Sequence, residues 1–199
     1  MLARALKPHG GYLIWRAFVY GRSRDRVNDL YNEFKKLDGM FDDNVILQIK
    51  NGPLDFQPRE PVSTVFGAMR KTNLSLELQV TKEYLGHATT LCYLGPSWEE
   101  ILQYDTYAEG KGSSLAKVID GTVSKPHVTC IAGVANTGRD ADWCGSVFNQ
   151  ANWYLYGRLA WNPEMRSAAI ADEWIRMTFN CSDDAHKTIR TIMDGSYEA

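Results

Sequence analysis

Residues 74–81 read LSLELQVT. Leu74, Leu76, Leu78 and Val80 share one parity, while Ser75, Glu77, Gln79 and Thr81 share the other, which Glu83 continues. Successive side chains of a strand point to opposite faces, so this alternation predicts a strand with one apolar and one polar face. An open, doubly wound sheet carries helices on both faces and wants both apolar. A barrel strand packs apolar residues outward on helices and can point polar ones into the interior, toward the mouth. The polar face therefore favours a (β/α)8 barrel over the open sheet.

The neighbouring segments fit the same rhythm. YLIWRAFVY (12–20) follows Gly10-Gly11 and predicts a strand. From Ser23, an expected N-cap, Val27, Leu30, Tyr31, Phe34 and Leu37 recur at spacings of three and four, predicting an amphipathic helix that Asp38-Gly39 ends. NVILQIK (44–50) predicts a second strand, EPVSTVFGAMRK (60–71) a short helix, and VTCIAGVAN (128–136) a fourth strand. Helices are expected near 97–108, 113–120, 149–160, 167–179 and 183–193. Strands alternating with helices are the pattern of βαβ units and a parallel sheet. Four strands are half of what a barrel needs. The fold class expected is thus α/β, the second half of a (β/α)8 barrel over residues 1–163, followed by the start of a helical region over 164–199.

The bulk properties exclude several classes. The 199 residues are 44% hydrophobic and 23% charged, enough apolar material for a sizeable core. A net charge of −2 supplies no field for nucleic acid or an anionic membrane surface, and neither is expected as a partner. No run of about 18 apolar residues predicts a transmembrane helix. Cys92, Cys130, Cys144 and Cys181 form no C-x-x-C pair and are expected as buried free thiols, with no metal site and no cofactor. His9, His87, His127 and His186 are equally scattered. MLARALKPHGG is too short and polar for a secretory h-region and reads as the tail of a helix running into a strand, so the chain is expected to begin mid-domain.

In a barrel the chemistry lies at the C-terminal ends of the strands. The second strand ends at Lys50, and its loop, NGPLDFQPREP, carries Asp55, Arg59 and Glu60. The third leads into Glu83, the first carries Arg16 on the parity of Ile14 and Phe18, and the fourth ends in AGVANTG with Asn136 at the rim. Two carboxylates from neighbouring strand ends, flanked by cations, suit acid–base work on an anionic substrate. Ordinary rim salt bridges are the competing reading. GKGSS (110–114) lacks the P-loop spacing and is expected as a flexible loop. Trp153, Trp161 and Trp174 are expected in the core, whereas Trp15 and Trp143 could equally stack on a sugar ring.

The segments WRAFVY, FDDNVILQIKNGPLDFQPREP, LELQVTKEYLG, LCYLGPSWEEIL, AGVANTG, NQANWYLYGRLAWNP and IADEWIRMTF together resemble the α-glucuronidases of glycoside hydrolase family 67, in order and over almost the whole chain. The resemblance implies a (β/α)8 barrel between an N-terminal domain and a C-terminal helical region. It implies removal of 4-O-methyl-glucuronic acid, α-1,2-linked to the terminal xylose of xylo-oligosaccharides, with inversion. The family's paired water-activating carboxylates match Asp55 and Glu83, and its cations for the uronate match Lys50 and Arg16. Its general acid lies on a strand before WRAFVY and has no counterpart here, so the chain alone is expected to be inactive. A sugar-binding remnant is the alternative reading, and a homodimeric parent is a further expectation.

Overall fold

The computed structural model describes residues 1–20, 25–52, 59–82, 90–124, 126–137, 139–141 and 143–199. In chain order the elements are α1 (Leu2–Leu6), a 3-10 turn (Lys7–His9), β1 (Leu13–Ala17), α2 (Arg26–Lys35), β2 (Val45–Lys50), α3 (Val65–Ala68) and β3 (Asn73–Gln79). There follow α4 (Gly95–Gln103), α5 (Leu115–Ile119), β4 (Cys130–Val134), α6 (Val147–Trp161), α7 (Ser167–Thr178) and α8 (Asp183–Gly195). They form two compact units, Met1–Leu78 with Tyr104–Ala132, and Gln79–Gln103 with Gly133–Ala199.

The first unit is built on a sheet whose strand order is β1-β2-β3-β4, with the C-terminal ends of β3 and β4 passing into the second unit. β1 pairs parallel with β2, and β2 parallel with β3. The fold is therefore α/β, with sequential parallel strands joined through helices. Val45, Ile46, Leu47 and Ile49 of β2 and Leu74, Leu76 and Leu78 of β3 are buried. The polar parity of β3 is buried as well, since Asn73, Ser75 and Glu77 are all below a tenth exposed. β1 is at one end of this strand order, and Ile14 and Trp15 on it stay half exposed.

Several elements are shorter than their patterns. The strand expected over 12–20 is ladder-paired only over Leu13–Ala17. The helix expected over 60–71 contracts to Val65–Ala68. Asp38 accounts for its early end, because its carboxylate accepts from the backbone N–H groups of Arg70 and Lys71 at 3.1 and 2.9 Å, drawing them out of the helical ladder. The periodic face of α2 is the less exposed one, with Phe34 buried. Ser23 lies outside the described residues, and the cap observed is Asp25, whose side chain accepts from the N–H of Asn28 at 3.1 Å. Asn28 is the third helical residue, the position an N-cap side chain reaches.

The second unit packs α4, α6, α7 and α8 around Trp98, Leu102, Leu155, Leu159, Ile170, Trp174, Ile175 and Met193. An irregular approach to α4 is held by side chains distant in sequence. Asn152 accepts from the N–H of Leu94 and donates to the carbonyl of Cys92, both at 2.9 Å. Tyr93 is buried, and its hydroxyl donates to the carbonyl of Ser167 at 2.8 Å. Gly95 is required there, because a Cβ at that position would lie 2.3 Å from the Tyr93 ring.

Some burial expectations are corrected. Trp174 is in the core, but Trp161 is 86% exposed and Trp153 only partly covered. At 100° per residue Trp161 is rotated about 200° from Leu159, onto the solvent side of α6. Of the cysteines, all free, only Cys92 is buried; Cys130 and Cys144 are half-buried and Cys181 is exposed.

On α7 and α8, Asp172 meets His186 Nε2 and Arg190 Nη1, each at 2.8 Å. Burial pushes the Asp172 carboxyl up, but the bonds from His186 and Arg190 outweigh it and hold the group below its ordinary value. A depressed carboxyl stabilises the fold above the unfolded pKa, and that contribution is lost as pH falls through the folded one. Thermal melts between pH 7 and 3 should therefore show a steeper loss below about pH 4 in the native chain than in Asp172→Asn. Parallel curves for the two proteins would remove Asp172 from the account of acid stability.

Candidate active site

Asp55 and Glu83 lie outside the described residues, and the site is built here from what flanks them. Along β1, β2 and β3 the register aligns Arg16 with Gln48 and Gln48 with Ser75, and Lys50 with Glu77. Arg16, Gln48, Lys50, Ser75 and Glu77 thus share one face of the sheet, the face that the alternation of LSLELQVT marks as polar.

Glu77 is the centre of that face. Its side chain has no exposure, and burying an unpaired carboxylate is costly. The structure satisfies it from two neighbouring strands. Arg16 Nε donates to Oε1 at 3.1 Å and Oε2 at 2.9 Å, and Arg16 Nη2 donates to Oε1 at 2.8 Å. Gln48 Nε2 donates to Oε2. Arg16 also lies over the Phe18 ring, 5.7 Å from its centroid, and keeps 44% of its side chain exposed. The hydroxyl of Ser75, in the same row, has no hydrogen-bond partner among the described residues.

Lys50 ends β2 and is buried. Its Nζ is 3.5 Å from Glu60 Oε2, and both side chains are 5% exposed. Glu60 folds back over Gly52, which has φ +86° and whose added Cβ would lie 2.2 Å from Glu60 Oε2. Lys50 and Glu60 are therefore clasped together by an ion pair that sits against a glycine. Ala17, Phe18, Val19, Arg26, Leu30, Lys50 and Gly52 line a cleft beside this clasp.

In the second unit, Lys82 precedes Glu83 with φ 50° and is buried, donating through Nζ to the carbonyl of Thr90. Burial pushes the Lys82 ammonium below its ordinary value, against the influence of Cys92 and Cys144. Thr81 Oγ1 accepts from the backbone N–H of Asn136 at 2.9 Å, which ties the AGVAN segment to the end of β3; Asn136 itself is exposed.

The remaining candidates separate from this face. Trp15 has the opposite parity to Arg16 on β1 and meets Phe41 edge-on, with ring centroids 5.7 Å apart. Trp143 pairs with Trp153 at 6.2 Å. In GKGSS, Asp105 accepts from the N–H of Gly112 at 2.7 Å, so a resident carboxylate takes the amide that a phosphate would need. Backbone hydrogen bonding from Gly112 holds the Asp105 carboxyl below its ordinary value. Among the described residues no group of three or more His, Cys, Asp or Glu could hold a metal ion.

The sequence marks Lys50 as a strand end and Arg16 as sharing the parity of Ile14 and Phe18, and it does not single out Glu77 or Gln48. Their signal was the shared parity of Arg16, Gln48 and Glu77, which becomes a contact only once the parallel register is known. The family resemblance reads Lys50 and Arg16 as cations for a substrate carboxylate. Lys50 also pairs with a resident carboxylate, Glu60, and Arg16 with Glu77.

The family model described as the glycosyl hydrolase family 67 middle domain matches residues 1–143, and that of the family 67 C-terminus matches residues 144–199. An alpha-glucuronidase of Hypocrea jecorina is 43% identical over 205 residues, covering 100% of this chain and 24% of the relative. Probable alpha-glucuronidases A of Neosartorya fischeri and Aspergillus clavatus are 47% and 45% identical over 206 residues, again covering 100% of this chain and 24% of each relative. The chain thus spans about a quarter of the length of the curated relatives it matches. With both family models matched in order from end to end, this chain belongs to glycosyl hydrolase family 67.

Proposed function

We propose that this chain is part of an α-glucuronidase that removes (4-O-methyl-)glucuronic acid from xylo-oligosaccharides with inversion. The observation that carries the reading is a buried, polar sheet face bearing Arg16 and Lys50, the second of which leads into the loop of Asp55. Such a face is hard to reconcile with an open sheet covered by helices on both sides. It suits the interior of a (β/α)8 barrel, so residues 1–163 are assigned to its second half and 164–199 to the start of a helical region.

In this reading Asp55 and Glu83 act on the water side of the sugar. Inversion needs a base carboxylate and an acid about 6.5–9.5 Å apart, leaving room for the attacking water. A second carboxylate beside the base raises one member of the pair and lets the other remain ionised. Lys50 and Arg16 meet the uronate, whose burial without a cation would be costly. The leaving-group acid is assigned to a strand preceding WRAFVY, outside these residues.

The test is a hybrid in which this chain replaces the matching quarter of the Hypocrea jecorina relative. Asp55→Asn and Glu83→Gln should each lower kcat on aldouronic acids by about 10²–10⁴. Turnover within a few-fold of the unsubstituted hybrid for both variants would refute the pair. Lys50→Ala should weaken a uronic acid ligand by about 2–5 kcal/mol while sparing a neutral glucoside analogue. Equal loss for both ligands in calorimetry would make Lys50 structural. The chain expressed alone should release no glucuronic acid, because forgoing leaving-group protonation costs about 10²–10⁴ in rate. Chromatographic detection of release at an ordinary enzymatic rate would overturn the assignment of the acid.

A further inference from the structure

Glu77 has no part in the reading above, and its geometry gives it one. Strands lie about 4.8 Å apart, so Arg16 on β1 must extend across the width of β2 to reach a side chain on β3. It does so with two donors on one carboxylate, Nε at 2.9 Å from Oε2 and Nη2 at 2.8 Å from Oε1. This fork-to-carboxylate arrangement fixes the plane of the guanidinium as well as its position. Gln48, the register partner of Arg16 on the intervening strand, donates to Oε2 of the same carboxylate and so helps to fix its orientation. The carboxylate is entirely enclosed while the arginine side chain is 44% exposed. One partner is an anchor and the other has surface to offer. A half-exposed arginine would otherwise sample many rotamers, and each would have to be lost again on binding.

We propose that Glu77 is a positioning residue: with Gln48 it holds the Arg16 guanidinium in one orientation on the polar face, so that a substrate carboxylate meets a cation already ordered. The inference rests on the reading that Arg16 contacts the uronate. Glu77 touches no substrate. It also neutralises much of the arginine's charge, so its presence helps binding only if orientation outweighs the lost net charge. That balance makes the proposal testable in sign.

The experiment uses the same hybrid and compares glucuronic acid with a neutral glucose-type ligand by calorimetry for Arg16→Ala, Glu77→Gln and the double variant. Glu77→Gln keeps the shape and one acceptor but removes the charge that holds the fork. It should weaken the charged ligand about tenfold or more and leave the neutral one within about twofold. In the Arg16→Ala background the Glu77→Gln change should add no further loss of selectivity, because a residue acting through another is not additive with it. Should Glu77→Gln fail to fold, Glu77→Asp retains the charge but shortens the reach by one methylene, and it is expected to give the same selective loss in smaller degree. Equal weakening of both ligands, additive losses, or tighter binding of the charged ligand would each overturn the positioning role. If Arg16→Ala itself leaves selectivity intact, the assignment of Arg16 to the uronate falls instead, independently of Glu77.

Discussion

A carboxylate without solvent, shared by three strands, governs the first unit. Glu77 is fully enclosed, and its partners come from β1 and β2. Breaking a wholly buried ion pair costs about 3–5 kcal/mol, and this one should fall toward the lower end because Arg16 is 44% exposed. Even so, the pair constrains more than energy. A one-residue slip of β1 would turn Arg16 to the opposite face and bring Trp15 or Ala17 to the polar one. Glu77 would then be buried with Gln48 alone. The parallel register and the polar face are thus two descriptions of one requirement, and the apolar parities of β2 and β3 follow from it.

The alternation of LSLELQVT was legible because strand geometry projects directly onto parity, and both faces came out as the pattern implies. The helix of α2 was legible for the same reason, with its spacing matching the covered side. What failed were features decided by distant partners. The segment 60–71 looks helical in its own composition, but Asp38 takes the amides of Arg70 and Lys71 and ends the helix at Ala68. Trp161 looks like core by its chemistry, yet its angular position on α6 puts it outside. Burial of cysteine is a statistical habit with no local signal, and only Cys92 follows it.

The candidate site divides along the same line. Arg16 and Lys50 could be picked out as cations on a strand and at a strand end, and the register is what puts them on the polar face. Their resident carboxylates could not, since Glu77 becomes a neighbour of Arg16 only across the register and Glu60 lies ten residues along the chain from Lys50. In the second unit, Asn152 and Ser167 satisfy the approach to α4 from far along the chain, and nothing in LCYLGP announces either. Polar groups that satisfy irregular backbone carry no periodicity, so they are invisible until the fold brings them together.

The clasp at the end of β2 has a further meaning. Lys50, Gly52 and Glu60 form a module in which each member is conditional on the others: the cation needs the anion, and the anion needs a backbone without a side chain beneath it. The entropic cost of closing a segment grows only slowly with the number of residues between its anchors. The anchors themselves cannot change singly. Transplanting this segment onto another scaffold would therefore require moving all three together.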